Sequence, residues 1–150
     1  MTVSIRAMTE TDRAAWIALR SRLWPEYSAG HPADVDEMLE RGTTWGFIAE
    51  DPSGVALGFA EVSVRAYANG CEQRPVPFLE GIWVDPDAQR QGVGQALIDH
   101  VAAFAKARDF SELCSDALLD NTASHAAHAG WGFVETERVV YFRKDLQAWP

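Results

Sequence analysis

The chain has 150 residues, and 13 Lys and Arg against 22 Asp and Glu give it a net charge of −9. This length suits one domain with a single substantial core, so we expect residues 1–150 to form one domain. The negative charge opposes binding to a nucleic-acid backbone, so we expect no nucleic-acid partner. It favours a polycationic small molecule in a cleft lined by carboxylates, although solubility alone would also account for it.

The sequence also bears on where the protein acts. No apolar run approaches the ~20 residues that a membrane-spanning helix needs. The first residues lack the basic region and apolar core of a secretory signal. The two cysteines, Cys71 and Cys114, are far apart in the sequence and have no CxxC spacing. We therefore expect a cytoplasmic protein with no disulfide scaffold, no metal and no membrane partner.

The first forty residues predict a strand followed by two helices. Apolar and polar residues alternate over Val3–Met8, which is typical of a strand. Thr9–Asp12 has the pattern of a helix N-terminal cap. The helix that follows is expected to end at Trp24–Pro25, because proline cannot continue the hydrogen-bond ladder. Its predicted inner face carries Ala14, Ile17, Ala18 and Leu23. A short acidic helix is predicted over residues 33–41.

The middle of the chain predicts a hairpin, a central strand and a long helix. Strands over residues 44–50 and 56–65 flank Asp51–Gly54, whose residue types favour a tight turn. Residues 77–84 are dense in apolar side chains and predict a central strand. Residues 92–108 have the apolar spacing of an amphipathic helix, which is the longest in the chain.

The last forty residues predict a short strand over 112–116 and a helix that begins at Asn121 and ends before Gly130. Two closing strands are predicted over 134–137 and 139–144. Together, the elements predict an α/β fold, with a mixed sheet and helices on both faces.

The loop Gln89–Gly94 joins the central strand to the long helix. Backbone N–H groups at a helix N-terminus lack intrahelical acceptors, and the helix dipole favours negative charge there. Such a loop suits a phosphate or pyrophosphate, and Gly92 and Gly94 allow the backbone to approach it closely. A Walker A loop would need Gly-Lys followed by Ser or Thr, and a dinucleotide fingerprint would need a third glycine where Leu97 stands. Both nucleotide-binding motifs are therefore excluded.

The segment Gly81–Leu97 resembles the acetyl-coenzyme A motif of the GNAT superfamily of N-acetyltransferases, whose pattern is Arg or Gln, two residues, Gly, one residue, and Gly or Ala. Asn121–Ser124 followed by Gly132–Phe133 resembles the second cofactor region of that family. The resemblance implies the acyl-CoA N-acyltransferase fold, a mostly antiparallel sheet with splayed parallel strands at the cofactor site. It also implies acetyl-CoA as co-substrate. The residues implied in its binding are Ile82, Trp83, Val84, Gln89, Arg90, Gln91, Gly92, Val93, Gly94, Asn121, Ser124 and His128.

Segments outside the loop resemble a narrower group, the dimeric branch of the aminoglycoside 6'-N-acetyltransferases. These segments are Leu19–Pro25, Asn69–Cys71, Val76–Ile82, Ser115–Asp116 and Glu135–Arg138. The resemblance implies transfer of acetyl to the 6'-amine of an aminoglycoside, which confers antibiotic resistance, and a homodimer. Two alternatives stay open: a GNAT enzyme for another amine (a polyamine, an amino acid or a protein N-terminus) and a non-catalytic module that binds acyl-CoA.

The narrower resemblance also implies a set of substrate-binding residues, which are Trp24, Tyr67, Glu80, Asp116 and Glu137. Acylation of an amine needs a proton acceptor, and carboxylates can both hold a cation and accept its proton. We expect Glu80 or Asp116 to act as the base and both to anchor amines. Without such a role, Glu80 would be an exposed strand carboxylate and Asp116 a cap or turn residue.

His128 stands about where many GNAT enzymes carry a tyrosine general acid, so the tyrosine's role cannot be transferred to this chain. His128 could protonate the leaving thiolate, hydrogen-bond the cofactor, or be an ordinary surface histidine.

Overall fold

In the computed structural model, which describes residues 2–150, the chain divides into two compact units. The first ends at Asp116, and the second is Ala117–Pro150. The first unit contains a four-stranded antiparallel sheet in the order β1-β2-β3-β4. Its strands are β1 (Ser4–Ala7), β2 (Thr44–Glu50), β3 (Ala56–Arg65) and β4 (Val76–Val84).

Three α-helices belong to the first unit: α1 (Arg13–Leu23), α2 (His31–Arg41) and α3 (Val93–Ala107). The Thr9–Asp12 capping box is present, and the Thr9 amide donates to the Asp12 carboxylate at 2.8 Å. A turn of 3₁₀ helix, Glu10–Asp12, separates this cap from α1. No helix among residues 2–150 is long and apolar enough to cross a membrane.

The sheet lies between two helical layers. Phe47 contacts α3, with its ring centroid 5.1 Å from that of Phe104. Its neighbour Ile48 packs instead in the cluster with Trp16 of α1 and Val35 of α2. Successive side chains of a strand point to opposite faces, so α1 and α2 cover one face and α3 the other. The expected α/β architecture with helices on both faces is confirmed.

The predicted inner face of α1 is wrong in part, because Ile17 and Leu23 pack against the core but Ala14 and Ala18 do not. Trp16, Leu19 and Arg20 are the buried residues of the helix, whereas Ala14 and Ala18 are exposed. The apolar spacing was misleading because an arginine occupies the buried stripe. Its burial depends on a charge partner in the sheet, which the sequence pattern of a single helix does not reveal.

A β-bulge interrupts the pairing of β3 with β4. Glu61 is opposite Gly81 and Val62 is opposite Leu79, so Glu80 is the extra residue on β4. A bulge of this kind bends its strand, increases the local twist and changes the direction of the side chains around it.

The predicted strand over 112–116 is reduced to a single parallel bridge between Cys114 and Phe78. The amide of Leu79 donates to the Cys114 carbonyl at 2.8 Å, and the amide of Cys114 donates to the Pro77 carbonyl at 2.9 Å. The bridge ends where β4 bulges, so the two segments do not continue as a ladder. The expected parallel neighbour of β4 is therefore present only at this point.

The second unit contains one helix, α4 (Thr122–Gly130). The Asn121 side chain caps it by accepting from the Ser124 amide at 3.1 Å, as predicted. The two predicted strands over 134–137 and 139–144 are wrong, because neither forms in the structure. A strand needs a neighbour to accept its backbone hydrogen bonds, and residues 117–150 provide none for these segments.

Candidate active site

Glu80 of the β-bulge is held by two side chains of β3. Its Oε1 accepts from Arg65 Nε at 3.0 Å, from Arg65 Nη2 at 2.7 Å and from the Ser63 hydroxyl at 3.1 Å. Among residues 2–150, the single donor to its Oε2 is Arg65 Nη2, at 2.7 Å. A carboxylate oxygen can accept more than one hydrogen bond, so Oε2 retains capacity for another donor, such as an ammonium group.

Arg65 joins Glu80 to Asp116 electrostatically. Its guanidinium carbon lies 3.5 Å from the centroid of the Phe78 ring, which fixes the side chain against the sheet. The hydrogen bond to Glu80 raises the pKa of Arg65, and the charges of Glu80 and Asp116 contribute in the same direction. Asp116 itself is exposed, and among residues 2–150 it has no partner comparable to that of Glu80. The two expected bases therefore have different surroundings.

Trp24 lies directly on the backbone of β4 next to Glu80. A Cβ added to Gly81 would come within 2.6 Å of Trp24 Cη2, so only glycine leaves room for the indole there. Trp24 also lines an open cavity of about 360 Å³ together with Arg20, Glu26 and Tyr27. An aromatic face beside a carboxylate is suited to a cationic sugar-like ligand.

Tyr67 follows β3 and its side chain is 61% exposed. The loop that continues from it is fastened by reciprocal hydrogen bonds. The Glu112 carboxylate accepts from the amides of Glu72 and Gln73 at 2.9 and 2.6 Å, and the Gln73 side chain accepts from the Ser111 amide at 2.8 Å. Trp24, Glu80 and Asp116 therefore lie close to the bulge, with Tyr67 on an exposed loop two residues beyond Arg65.

The segment of β4 after the bulge has one unpaired edge. Ile82, Trp83 and Val84 pair with β3 on one side, and the parallel bridge on the other side has already ended at Leu79. Within residues 2–116 no other strand covers this edge. Exposed backbone of this kind can pair with an extended ligand that carries amides, such as the pantetheine arm of coenzyme A.

The loop before α3 fits a pyrophosphate. Gln89, Arg90, Gln91 and Gly92 are exposed, and no side chain of residues 2–150 caps the N-terminus of α3. Gly92 has φ 83°, and a Cβ added there would meet no atom within 4 Å, so the loop opens toward empty space. Uncapped amides at a helix N-terminus are suited to phosphate oxygens. Of the predicted residues, Val93 and Gly94 form the first turn of α3.

The remaining predicted residues, Asn121, Ser124, His128 and Glu137, belong to the second unit. Asn121 caps α4, and His128 Nδ1 lies 2.7 Å from the Ser124 carbonyl. A carbonyl can only accept, so Nδ1 carries the hydrogen. The His128 ring also contacts the rings of Trp131 and Phe133, with centroids 5.5 and 5.1 Å apart. Glu137 is exposed.

Sequence reasoning missed Ser63 and Arg65, the two residues that hold Glu80. Their spacing of two on β3 places both on one face of the sheet, which was an available signal. Their register with Glu80 was not available, because the bulge displaces Glu80 by one position. Gly81 directly after Glu80 is the sequence feature that could have indicated a bulge.

Comparison with known proteins identifies the family. A model of the acetyltransferase (GNAT) family matches residues 10–133, so the chain belongs to that family. An aminoglycoside N(6')-acetyltransferase type 1 of Serratia marcescens is 46% identical over 134 residues, which cover 88% of this chain and 92% of that protein.

Two solved structures are similar over nearly the whole chain. One is the crystal structure of aminoglycoside 6'-N-acetyltransferase AAC(6')-Ih from Acinetobacter baumannii, with 38% identity, a TM-score of 0.89, and coverage of 96% of this chain and 99% of that one. The other is AAC(6')-Iy in complex with the bisubstrate analogue CoA-S-monomethyl-acetylneamine, with 41% identity, a TM-score of 0.90, and coverage of 97% and 99%.

Proposed function

We propose that the protein is an aminoglycoside 6'-N-acetyltransferase that uses acetyl-CoA as co-substrate and confers aminoglycoside resistance. The observation that carries this proposal is the site at the bulge of β4. There, Trp24 packs on Gly81 next to Glu80, Asp116 interacts with the same arginine as Glu80, and the unpaired edge of β4 begins directly after the bulge. The similarity to aminoglycoside N(6')-acetyltransferases over nearly the whole chain supports the same substrate.

The cofactor part of the site binds coenzyme A through its backbone. The free edge of Ile82–Val84 pairs with the pantetheine arm, and the amides of Gln89–Gly94 hold the pyrophosphate. Acetyl-CoA supplies the acetyl group as a thioester. The resemblance assigns Asn121, Ser124 and His128 to the cofactor as well. Because Nδ1 of His128 carries the hydrogen bonded to the Ser124 carbonyl, Nε2 accepts a hydrogen bond in the neutral ring, and only the doubly protonated ring can donate from Nε2 to the cofactor or to the departing thiolate.

In the substrate part of the site, one carboxylate binds an ammonium group and another acts as the base. Glu80 is committed to Arg65 and Ser63, so it serves as a fixed anchor that receives an ammonium on Oε2. Asp116 is exposed and has no comparable hydrogen-bonded partner among residues 2–150. We therefore assign Asp116 as the base that takes a proton from the 6'-ammonium, directly or through water, and so leaves a neutral amine. Trp24, Tyr67 and Glu137 contact the aminoglycoside rings.

The proposed assembly is a homodimer. Val134, Val140, Tyr141 and Phe142 are 82, 78, 80 and 93% exposed, which is unusual for a run of large apolar side chains. Two such segments can cover one another across a two-fold axis. The free thiols of Cys71 and Cys114 support a reducing, cytoplasmic setting. Analytical ultracentrifugation tests the assembly, and a monomer at all concentrations would refute it.

The substrate proposal is tested with acetyl-CoA and a panel of amines. Kanamycin and tobramycin should each release free thiol, and an aminoglycoside that lacks the 6'-amine should not. Turnover with polyamines or peptide N-termini but with no 6'-amino aminoglycoside would refute the proposed substrate and leave the assignment to the acetyltransferase family unchanged. Tight acetyl-CoA binding without turnover on any amine would favour a non-catalytic module.

A further inference from the structure

A buried arginine of α1, Arg20, connects the sheet to the proposed substrate site. Arg20 is only 6% exposed. Nη1 lies 2.6 Å from both carboxylate oxygens of Glu61, which is 1% exposed. Nη2 donates to Asp34 at 3.2 Å, and Nε donates to His31 Nδ1 at 3.2 Å. All three nitrogens of the guanidinium are thus engaged.

His31 passes this constraint on to Trp24. A guanidinium can only donate, so His31 Nδ1 is the acceptor and Nε2 carries the hydrogen. His31 Nε2 lies 3.0 Å from the Trp24 carbonyl oxygen and therefore donates to it. The Arg20 guanidinium carbon lies 4.8 Å from the centroid of the Trp24 ring. Trp24 is thus held at its backbone by His31 and at its indole by Arg20.

The network is a costly way to obtain stability. Ionised Arg20 and Glu61 must both lose their hydration, and apolar residues of similar volume usually fill such a space at least as well. The network instead fixes the orientation of the Arg20 and His31 side chains. Both of these side chains contact Trp24, whose indole lies on Gly81 beside Glu80.

We propose that Arg20 and His31 are positioning residues that hold Trp24 in the orientation required to bind the aminoglycoside. The inference rests on the proposed function, because that function assigns Trp24 to the substrate. The hydrogen bonds and ring contacts that Arg20 and His31 form within residues 2–150 do not include any residue of the loop Gln89–Gly94. Their effect is therefore confined to the amine substrate and acts through Trp24.

The test uses His31→Asn and His31→Gln. Asparagine keeps an acceptor for Arg20 but is too short to reach the Trp24 carbonyl, whereas glutamine can accept from Arg20 and donate to that carbonyl. We expect His31→Asn to raise the aminoglycoside KM roughly tenfold, because a small misplacement of a binding group weakens its contacts. The acetyl-CoA KM should not change, and His31→Gln should restore most of the lost affinity.

A double-mutant cycle separates positioning from general support of the fold. In a Trp24→Ala background, adding His31→Asn should cause no further rise in the aminoglycoside KM, because the residue through which His31 acts is gone. A full additional rise in that background would overturn the proposal. So would a wild-type KM in His31→Asn, or an equal rise of both KM values that His31→Gln does not rescue. Absence of aminoglycoside turnover by the wild-type protein would instead refute the proposed function, on which the inference depends.

Discussion

Arg65 holds both carboxylate oxygens of Glu80, with Nη2 at 2.7 Å from each. Arg65 comes from the end of β3 and Glu80 from the bulge of β4, so the pair joins these two neighbouring strands where their register changes. The arrangement fixes Glu80 before any substrate arrives and leaves capacity on Oε2.

Replacing Glu80 with glutamine should weaken aminoglycoside binding. The variant loses a charged acceptor and leaves the Arg65 cation unpaired in a site that must receive a second cation. A hydrogen bond to a charged group contributes about 1.5–3 kcal/mol, so the aminoglycoside KM should rise roughly tenfold or more. Steady-state kinetics measure it. Glu37→Gln, which breaks the exposed pair between Glu37 and Arg41 on α2, is the matched control and should leave the KM unchanged.

Replacing Asp116 with asparagine should act mainly on kcat. Asparagine has a similar shape but cannot take the proton, and loss of a general base lowers the rate about 100-fold or more. Asp109→Asn is the control, because Asp109 is an exposed aspartate with φ 65°, a backbone conformation that asparagine also tolerates. If Asp116→Asn keeps the wild-type kcat while Glu80→Gln loses it, the two assignments are reversed.

Gly92→Ala should impair acetyl-CoA binding beyond its effect on stability. Gly92 has φ 83°, where a Cβ costs roughly 1–2 kcal/mol, and the new methyl group would project into the space left for the pyrophosphate. Gly42→Ala is a matched control. Gly42, at the end of α2, has φ 65°, and a Cβ added there also meets no atom within 4 Å.

Thermal unfolding and acetyl-CoA titration of the Gly92 and Gly42 variants distinguish strain from binding. Both variants should be destabilised by a similar amount, but only Gly92→Ala should raise the KM for acetyl-CoA. An equal effect of both variants on that KM would show that the loop glycine does not contact the cofactor.

The ion pair of Arg6 with Asp12 predicts a pH-dependent contribution to stability. The hydrogen bond from Arg6 lowers the pKa of Asp12 in the folded protein. The unfolded state therefore binds the proton more tightly. The stabilisation is complete above the unfolded pKa of about 3.9 and is lost as the pH falls through the lower folded pKa.

Asp12→Asn should accordingly reduce the free energy of unfolding at pH 7, and this effect should shrink as the pH is lowered toward about 2. Arg6 is 46% exposed, so solvent screens the pair and the loss should be only about 0.5–1 kcal/mol. Urea unfolding at the two pH values measures it. Glu10→Gln removes a neighbouring carboxylate that forms no salt bridge among residues 2–150, and its effect should not vary with pH in this way.

The sequence was informative where local chemistry decides the structure. The bounds of β2 and β3 were predicted because Asp51 directs the turn between them, accepting from the amides of Ser53 and Val55 at 2.9 Å. The Asn121 cap and the end of α1 at Trp24 follow from equally local rules. The loop before α3 was likewise predicted from local residue types, because its glycines directly precede the helix.

Long-range pairing was beyond the reach of the sequence pattern. Arg20 is buried because it pairs with Glu61, which lies 41 positions away in the chain, so the place of Arg20 on the inner face of α1 was not predicted. Glu80 was recognised by resemblance, but its partner Arg65 depends on a register that the bulge alters. The residue pattern over 134–144 is typical of strands, but no neighbouring strand is present to accept their backbone hydrogen bonds, so these strands do not form.

The bulge at Glu80 has a consequence for how the specificity of this protein can be varied. An extra residue restarts the alternation of side chains, so the part of β4 before it and the part after it need not share one pattern of inward and outward positions. Residues 76–79 are buried in the core, so under the proposed function the part of β4 that serves the amine is the bulge residue Glu80, and the part that serves the acyl donor is Ile82–Val84. Substitutions at Glu80 could then alter antibiotic preference without exchanging the donor, whereas deletion of a single residue at the bulge would put both parts of the strand in one register and impair both specificities at once.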